Sequence, residues 1–508
     1  MPRINKVLVA NRGEIAIRVM RTCKELGLGT VAVYSEADRS ALHTRFADEA
    51  YCIGPAPSRE SYLVIDNVLE AAKKAGADAI HPGYGFLSEN AKFVRACEKA
   101  GVTFIGPPAS AMDAMGEKTQ ARRNMIKAGV PVVPGTDKPF ETFDEAKAFA
   151  LKIGFPVMLK AAGGGGGKGM RRVDRAEELE SAWRTAKSEA LSAFGNDAVY
   201  MEKFLDQPHH VEIQVFGDTH GNVIHLNERE CSAQRRNQKV VEETPSPILT
   251  PEMRAAMGEV AVKAAKAVGY VGAGTIEFLV DSARNFYFLE MNTRLQVEHP
   301  VTEWVTGIDL VAWQLHVAQG GVLPILKPIQ PRGHSIEVRV YAEDPATNFM
   351  PAPGTIKYVR VPSGPYVRDD SGVYAGYRVP NFYDPMISKL SVWAPTRMEA
   401  ILKMRRALDE YVLTGITTNL RYLKQIMEHP EFVGGNYDTG FLGREHQKLL
   451  GVEDPALTRA SVIAAAVRAH QRMEKQQAQI AQVQSKGSGG GGSAWRTAGR
   501  RAASWRRG

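Results

Sequence analysis

The stretch EMNTRLQVEHP holds Glu290, Asn292, Arg294, Gln296 and Glu298 at alternate positions, with apolar Met291, Leu295 and Val297 between them. A period of two places all five polar groups on one face of an extended segment. Upstream, TIEFLV (275–280) and FYFLEMN (286–292) flank the turn-like DSARN, the pattern of an antiparallel hairpin. If Asp281 pairs with Phe286, Glu277 falls directly opposite Glu290. Two carboxylates facing each other across a ladder repel unless something positive lies between them. With the Asn292 carbonyl they make a hard-oxygen set suited to Mg2+ (or Mn2+), an ion that keeps waters and shares its site with substrate phosphates. A solvated strand face would favour Lys, Thr and Ser. Here two acids and an amide run on into Arg, Gln and Glu.

A second constellation points to phosphate. FPVMLK (155–160) reads as a strand leading into AAGGGGGKGM, with MRRV as its return strand. Gly163, Gly164, Gly165, Gly166 and Gly167 let backbone amides approach an anion closely, and Lys160 and Lys168 flank the turn. This is not a Walker A loop: Gly169 stands where Ser or Thr is required, and a strand follows where that motif needs a helix. HHVEIQVFG sets His210, Glu212 and Gln214 on one strand face, and Arg235, Arg236 and Lys239 cluster within five residues. Arg339 sits in the strand-like HSIEVRVYAED, and Lys118 in a helical segment from 112 to 128.

The elements that must position these groups begin at once. KVLVA (6–10) reads as a buried parallel strand, 14–26 as a helix and 30–35 as the next strand, a β-α-β unit of a doubly wound sheet. The turn after the first strand lacks G-x-G-x-x-G, which weakens a dinucleotide reading. HPGYGF ends another strand at a position where open α/β sheets bind ligands. A helix is expected to start at the cap-like Asp174. The 508 residues suit roughly three domains. Four scattered cysteines without a C-x-x-C pair argue against zinc or a disulfide framework. No apolar run is long enough for a membrane helix, and the chain enters a strand pattern with no leader, so a cytoplasmic location is expected. From Gln447 onward 11 Lys and Arg face 3 Asp and Glu, which is the whole of the net charge of +8. Residues 1–446 are neutral, and this disfavours nucleic-acid binding by the body.

VANRGEIA, HPGYGFLSEN, KAAGGGGGKGM, YMEKFL, CSAQRRNQKVVEE and EMNTRLQVEHPVTE occur in the order found in biotin carboxylases, and residues 1 to about 446 resemble that ATP-grasp family. The resemblance implies an α/β architecture: a doubly wound domain (1–117), an ATP-grasp region (118–330) with a small lid at about 133–204, and a C-terminal α+β domain (331–446). It implies a ligase that uses MgATP and bicarbonate to carboxylate biotin through carboxyphosphate, the first half-reaction of an acyl-CoA carboxylase serving fatty acid biosynthesis. Another ATP-grasp ligase is the alternative. By match to the family's motifs, Lys118, Lys160 and the glycine loop would bind ATP phosphates, Glu202 and Leu205 the adenine, and His210 the ribose. Glu277, Glu290 and Asn292 would hold the metal. Lys239, Arg294, Gln296 and Val297 would bind bicarbonate, Glu298 would deprotonate it, Arg339 would steady the biotin enolate, and Tyr84 would lie near biotin. Asn237 stands where some members have His. No MKM attachment sequence is present, so biotin would arrive on a separate biotin carboxyl carrier protein, with a carboxyltransferase as further partner and a homodimer as the expected assembly.

The remainder lies outside the resemblance: a helical extension (447–486), then GSGGGGS and a basic segment with two tryptophans (487–508). Docking to an acidic partner or a membrane surface, or contact with nucleic acid, are readings of that basic segment, and a dispensable tail or an appended extension is the alternative.

Overall fold

The computed structural model describes residues 3–116, 118–136, 138–161, 170–451 and 455–486. Among these residues, a parallel sheet opens the chain in the order Glu49–Cys52, Gly29–Tyr34, Lys6–Val9, Ala79–His81, Thr103–Phe104. Its central strand shows why both faces are covered. Val7 and Val9 pack with Ile15 and Val19 of the helix Gly13–Glu25. Leu8 joins Val68, Ala72 and Phe93, from the helices Ile65–Ala75 and Ala91–Lys99, in a separate core. Alternate residues therefore feed two layers of helix, the doubly wound arrangement the strand pattern predicts.

A small antiparallel sheet follows, ordered Met170–Val173, Val157–Ala161, Val199–Lys203. The helices Phe143–Ile153 and Leu179–Phe194 close over it through Ala146, Ala150 and Trp183. The expected start of the second helix at Asp174 is not found. Asp174 pairs with Arg172, a 3-10 turn covers Ala176–Glu178, and the α-helix begins five residues later. The helical segment expected over 112–128 is found, as Ala109–Gly116 and Lys118–Lys127, with residue 117 between them outside the described residues.

The rest of the compact unit, which runs to Leu450, is built on one antiparallel sheet. Its order is Phe286–Asn292, Gly272–Val280, His209–Gly217, Val223–Arg235, Gln238–Thr244, His334–Tyr341, Met386–Ala394, Val367–Ser371. The helix Arg397–Glu410, opened by a capping box between Thr396 and Glu399, packs on this sheet with Leu420–Glu428 to form the C-terminal core. The second unit contains the helix Pro455–Lys486, with Val462, Ile463, Val467 and Met473 exposed. None of the described helices is long and apolar enough to cross a membrane.

Candidate active site

Four neighbouring strands carry one row of charge. Glu290 lies opposite Glu277, Glu277 opposite Glu212, and Glu212 opposite Arg229. The anticipated pair of acids is present, but its register arises differently. Val280 rather than Asp281 faces Phe286, and an unpaired residue, Leu289, shifts the ladder by one so that Glu290 meets Glu277. A bulge of this kind re-aims a side chain without ending the strand.

Three acids in line repel, and two cations resolve the conflict. Fully buried Arg229 pairs with Glu212 and donates to Gln214 at 2.7 Å and Thr302 at 3.0 Å. Lys239 Nζ lies 2.6 Å from Glu212, 2.8 Å from Glu277 and 2.7 Å from Glu298. Burial alone would lower the Lys239 pKa, but these carboxylates hold it well above the usual lysine value. His210 Nε2 stands 3.0 Å from Glu277, and its Nδ1 accepts from Gln234 at 3.2 Å. Burial favours a neutral Glu277, yet Lys239 and His210 outweigh it and keep the carboxyl well below its ordinary range.

Glu298, like Glu212, has no exposed surface. One oxygen accepts from Lys239 and the other from Arg339 NH2 at 3.0 Å. Burial opposes its charge, but Lys239, Arg339 and Arg229 hold its pKa well below 4.5, so the carboxylate is ionised. Arg339 is itself fixed by Glu242, which accepts from Nε at 2.6 Å.

The alternation expected from 290 to 298 holds as a strand only to Asn292; beyond it the chain turns irregularly into the helix His299–Thr306. The side chains nevertheless converge. Arg294 donates to Asn292 Oδ1 at 2.9 Å and to Gln296 Oε1 at 2.8 Å, while Asn292 Nδ2 donates to Glu277 at 2.9 Å.

Two cavities meet here. One, of about 760 Å³, is lined by Lys160, Glu202, Leu205, His210, Lys239, Glu277, Glu290 and Asn292. Lys160 and Glu202, on adjacent strands, form an ion pair in its lining, with Arg122 at 3.4 Å from Glu202. The other, of about 540 Å³, is walled by Glu14, Tyr84, Phe86 and Tyr383. Arg294, Val297 and Arg339 line both. A further cavity of about 810 Å³, beside Trp304 and Arg368, contains none of the expected residues. Asn237 lies in the first cavity at a turn where it and Arg236 take left-handed backbone, a conformation asparagine tolerates. Gly163, Gly164, Gly165, Gly166 and Gly167, and the side chain of Lys118, lie outside the described residues.

Glu277, Glu290 and Asn292 fit a hard divalent cation: their donors are all oxygens, on one hairpin whose bulge brings the acids together, and Glu277 is already held as an anion. Cys231 sits within the same cluster as Glu212 and Glu298, fully buried, and Lys239 reaches both of these acids. Sequence reading did not single out Arg229, Glu242 or Glu89. The only local signal was an arginine between two glutamates in the strand Val223–Arg235.

The chain matches family models described as biotin carboxylase, N-terminal domain (3–112), carbamoyl-phosphate synthase L chain, ATP binding domain (117–326), and biotin carboxylase C-terminal domain (337–444). Biotin carboxylase 1 of Bacillus subtilis is 53% identical over 441 residues, 86% of this chain and 98% of the relative. This chain belongs to the biotin carboxylase family. Among solved structures, the biotin carboxylase of Campylobacter jejuni in its β,γ-ATP complex superposes with a TM-score of 0.84 at 52% identity, covering 87% of this chain and 99% of that one. The biotin carboxylase domain dimer of Hydrogenobacter thermophilus 2-oxoglutarate carboxylase, with MgADP, ADP and bicarbonate, gives 0.84 at 48% identity over 89% of this chain and all of that one. The doubly wound sheet, the small antiparallel sheet and the long antiparallel sheet are thus those of biotin carboxylases.

Proposed function

We propose that this chain is a ligase that carboxylates biotin with bicarbonate at the expense of MgATP. The observation that carries the reading is the meeting of two cavities at Arg294, Val297 and Arg339, with the ionised Glu298 pinned between Lys239 and Arg339. Such a junction suits a reaction in which a nucleotide and a second substrate must exchange one small group.

The residues divide the work. Lys160, Lys118 and the glycine loop bind the phosphates, Glu202 and Leu205 the adenine, and His210 the ribose. Glu277, Glu290 and Asn292 would hold Mg2+, which would offset charge on the transferring phosphoryl group. Lys239, Arg294, Gln296 and the Val297 backbone bind bicarbonate. Glu298 takes the bicarbonate proton, the freed oxygen attacks the γ-phosphorus, and ADP leaves. Carboxyphosphate then splits into CO2 and phosphate, the phosphate takes the biotin ureido proton, and the nitrogen attacks CO2. Arg339 stabilises the enolate oxygen that forms on biotin, and Tyr84 borders that cavity.

Biotin arrives on a carrier protein. The acceptor is set by a carboxyltransferase partner, an acyl-CoA carboxylase in our reading, with this chain as a cytoplasmic homodimer. The family-model boundaries and sheets support divisions near 117 and 330, with 133–204 as the lid. The test is ATP hydrolysis with Mg2+ and bicarbonate, with and without free biotin. Biotin-stimulated ADP release that requires bicarbonate supports the reading; turnover indifferent to both reassigns the chain to another ATP-grasp ligase.

A further inference from the structure

Residues 293–298 present a mechanical problem. They carry Arg294, Gln296, Val297 and Glu298 yet have left the sheet, since the last ladder pair of their strand is Asn292 with Thr275. Leu295 anchors the middle by burying its side chain in the apolar core. Each end is held by a charge from elsewhere in the chain. At the start, Glu89 accepts from Thr293 N at 2.9 Å and Thr293 Oγ1 at 3.4 Å through one oxygen, and from Arg294 Nε at 2.9 Å through the other. At the end, Lys389 Nζ donates to the Val297 carbonyl at 2.7 Å. Lys389 lies almost wholly inside the protein, 3.4 Å from buried Glu14.

The two anchors come from opposite ends of the chain. Glu89 follows the HPGYGF turn of the parallel sheet, and Lys389 is on the strand Met386–Ala394, opposite Arg339. Neither faces the first cavity. Charge-assisted hydrogen bonds to a backbone amide and a backbone carbonyl are strong enough to fix an irregular segment, and the Arg294 contact also sets the orientation of its guanidinium.

We propose that Glu89 and Lys389 are positioning residues: together they suspend residues 293–298 so that Arg294 and Glu298 meet bicarbonate in fixed geometry. The site they serve rests on the carboxylase reading, but their hold on the segment does not. The test therefore has two arms, both on the full chain. Amide hydrogen exchange of the ligand-free protein reads the segment, and KM for bicarbonate against KM for ATP reads the site.

Glu89 is partly exposed, so Glu89→Gln is expected to fold normally, exchange faster at 293–298 and raise KM for bicarbonate about tenfold, with KM for ATP unchanged. Lys389→Met should do the same, and Lys389→Gln, which keeps a donor toward Val297, should recover part of the loss. The proposal is overturned if exchange at 293–298 does not change, if it accelerates evenly over the whole sheet, if both KM values rise together, or if Gln and Met at position 389 behave alike. Should the wild-type chain lack bicarbonate-dependent turnover, the carboxylase reading falls, and the exchange arm still decides the anchors.

Discussion

Glu242 and Glu243 are sequence neighbours on one strand, and their carboxyl groups behave oppositely. Glu242 points toward Arg339 at the site, and burial, against the pull of that arginine, pushes it up to about 7. Glu243 points to the other face, where Arg397 at 2.8 Å, Tyr437 at 2.6 Å and His334 all reach it. Burial alone would raise it, but His334 and Arg397 bring it down to about 2. A folded pKa below the ordinary 4.5 means that Glu243 contributes stability above pH 4.5 and loses it as pH falls toward 2. The shift corresponds to about 3 kcal/mol. Glu243→Gln is expected to cost that much at pH 7, and the gap to wild type should narrow between pH 5 and 3 in urea titrations. An unchanged gap over that range would show that Glu243 is not the titrating group. At the site, Glu298→Gln removes the proton acceptor while keeping shape. Bicarbonate-dependent ATP hydrolysis should drop by a factor on the order of 10² to 10⁴. Retention of more than half the wild-type rate would remove Glu298 from the base role.

Among the elements, the hairpin from 272 to 292 shows how far local pattern reaches. The alternation of TIEFLV and FYFLEMN was enough to place Glu277 against Glu290. A pairing of Asp281 with Phe286 is one residue out of step with the ladder, and the bulge at Leu289 makes up the difference. No sequence signal marks that bulge, because Leu289 is as apolar as any strand residue. His210, Glu212 and Gln214 were legible as one face for the same reason of period. Their partner Arg229 was not, since it arrives through strand pairing across a turn. Glu89 and Lys389 were hidden more deeply: they touch residues about 200 and 90 positions away, and nothing local foretells a contact of that span. Helix ends misled where a short polar residue had a better partner. Asp174 has the residue type of a cap, but Arg172, two residues before it, takes its carboxylate. By contrast Thr396 does cap, because Glu399 returns the hydrogen bond to its backbone. Thr396→Ala should therefore cost about 1 kcal/mol in thermal or urea unfolding without altering KM for either substrate. A shift in KM would mean that this helix also bears on the site.

At the scale of the whole molecule, function and net charge are segregated. Among the described residues, the compact unit that ends at Leu450 holds every core cluster, whereas nearly all the excess positive charge of the sequence lies after it. Truncation after Leu450 is expected to leave the melting temperature and biotin-dependent ATP hydrolysis of the unit unchanged, while abolishing retention on a cation-exchange resin at neutral pH. Loss of activity on truncation would assign the tail a part in catalysis.

The position of Cys231 carries a consequence for inhibitor chemistry. It stands beside Glu212 and Glu298, where a reactive thiol would be an obvious target for covalent attack. Burial first, and then the negative charge of Glu212, push its pKa well above the usual 9, so it is held as the neutral thiol. Electrophilic warheads and peroxide alike need a thiolate. Cys231, for all the polarity around it, offers them none, and is expected to resist alkylation by iodoacetamide at neutral pH.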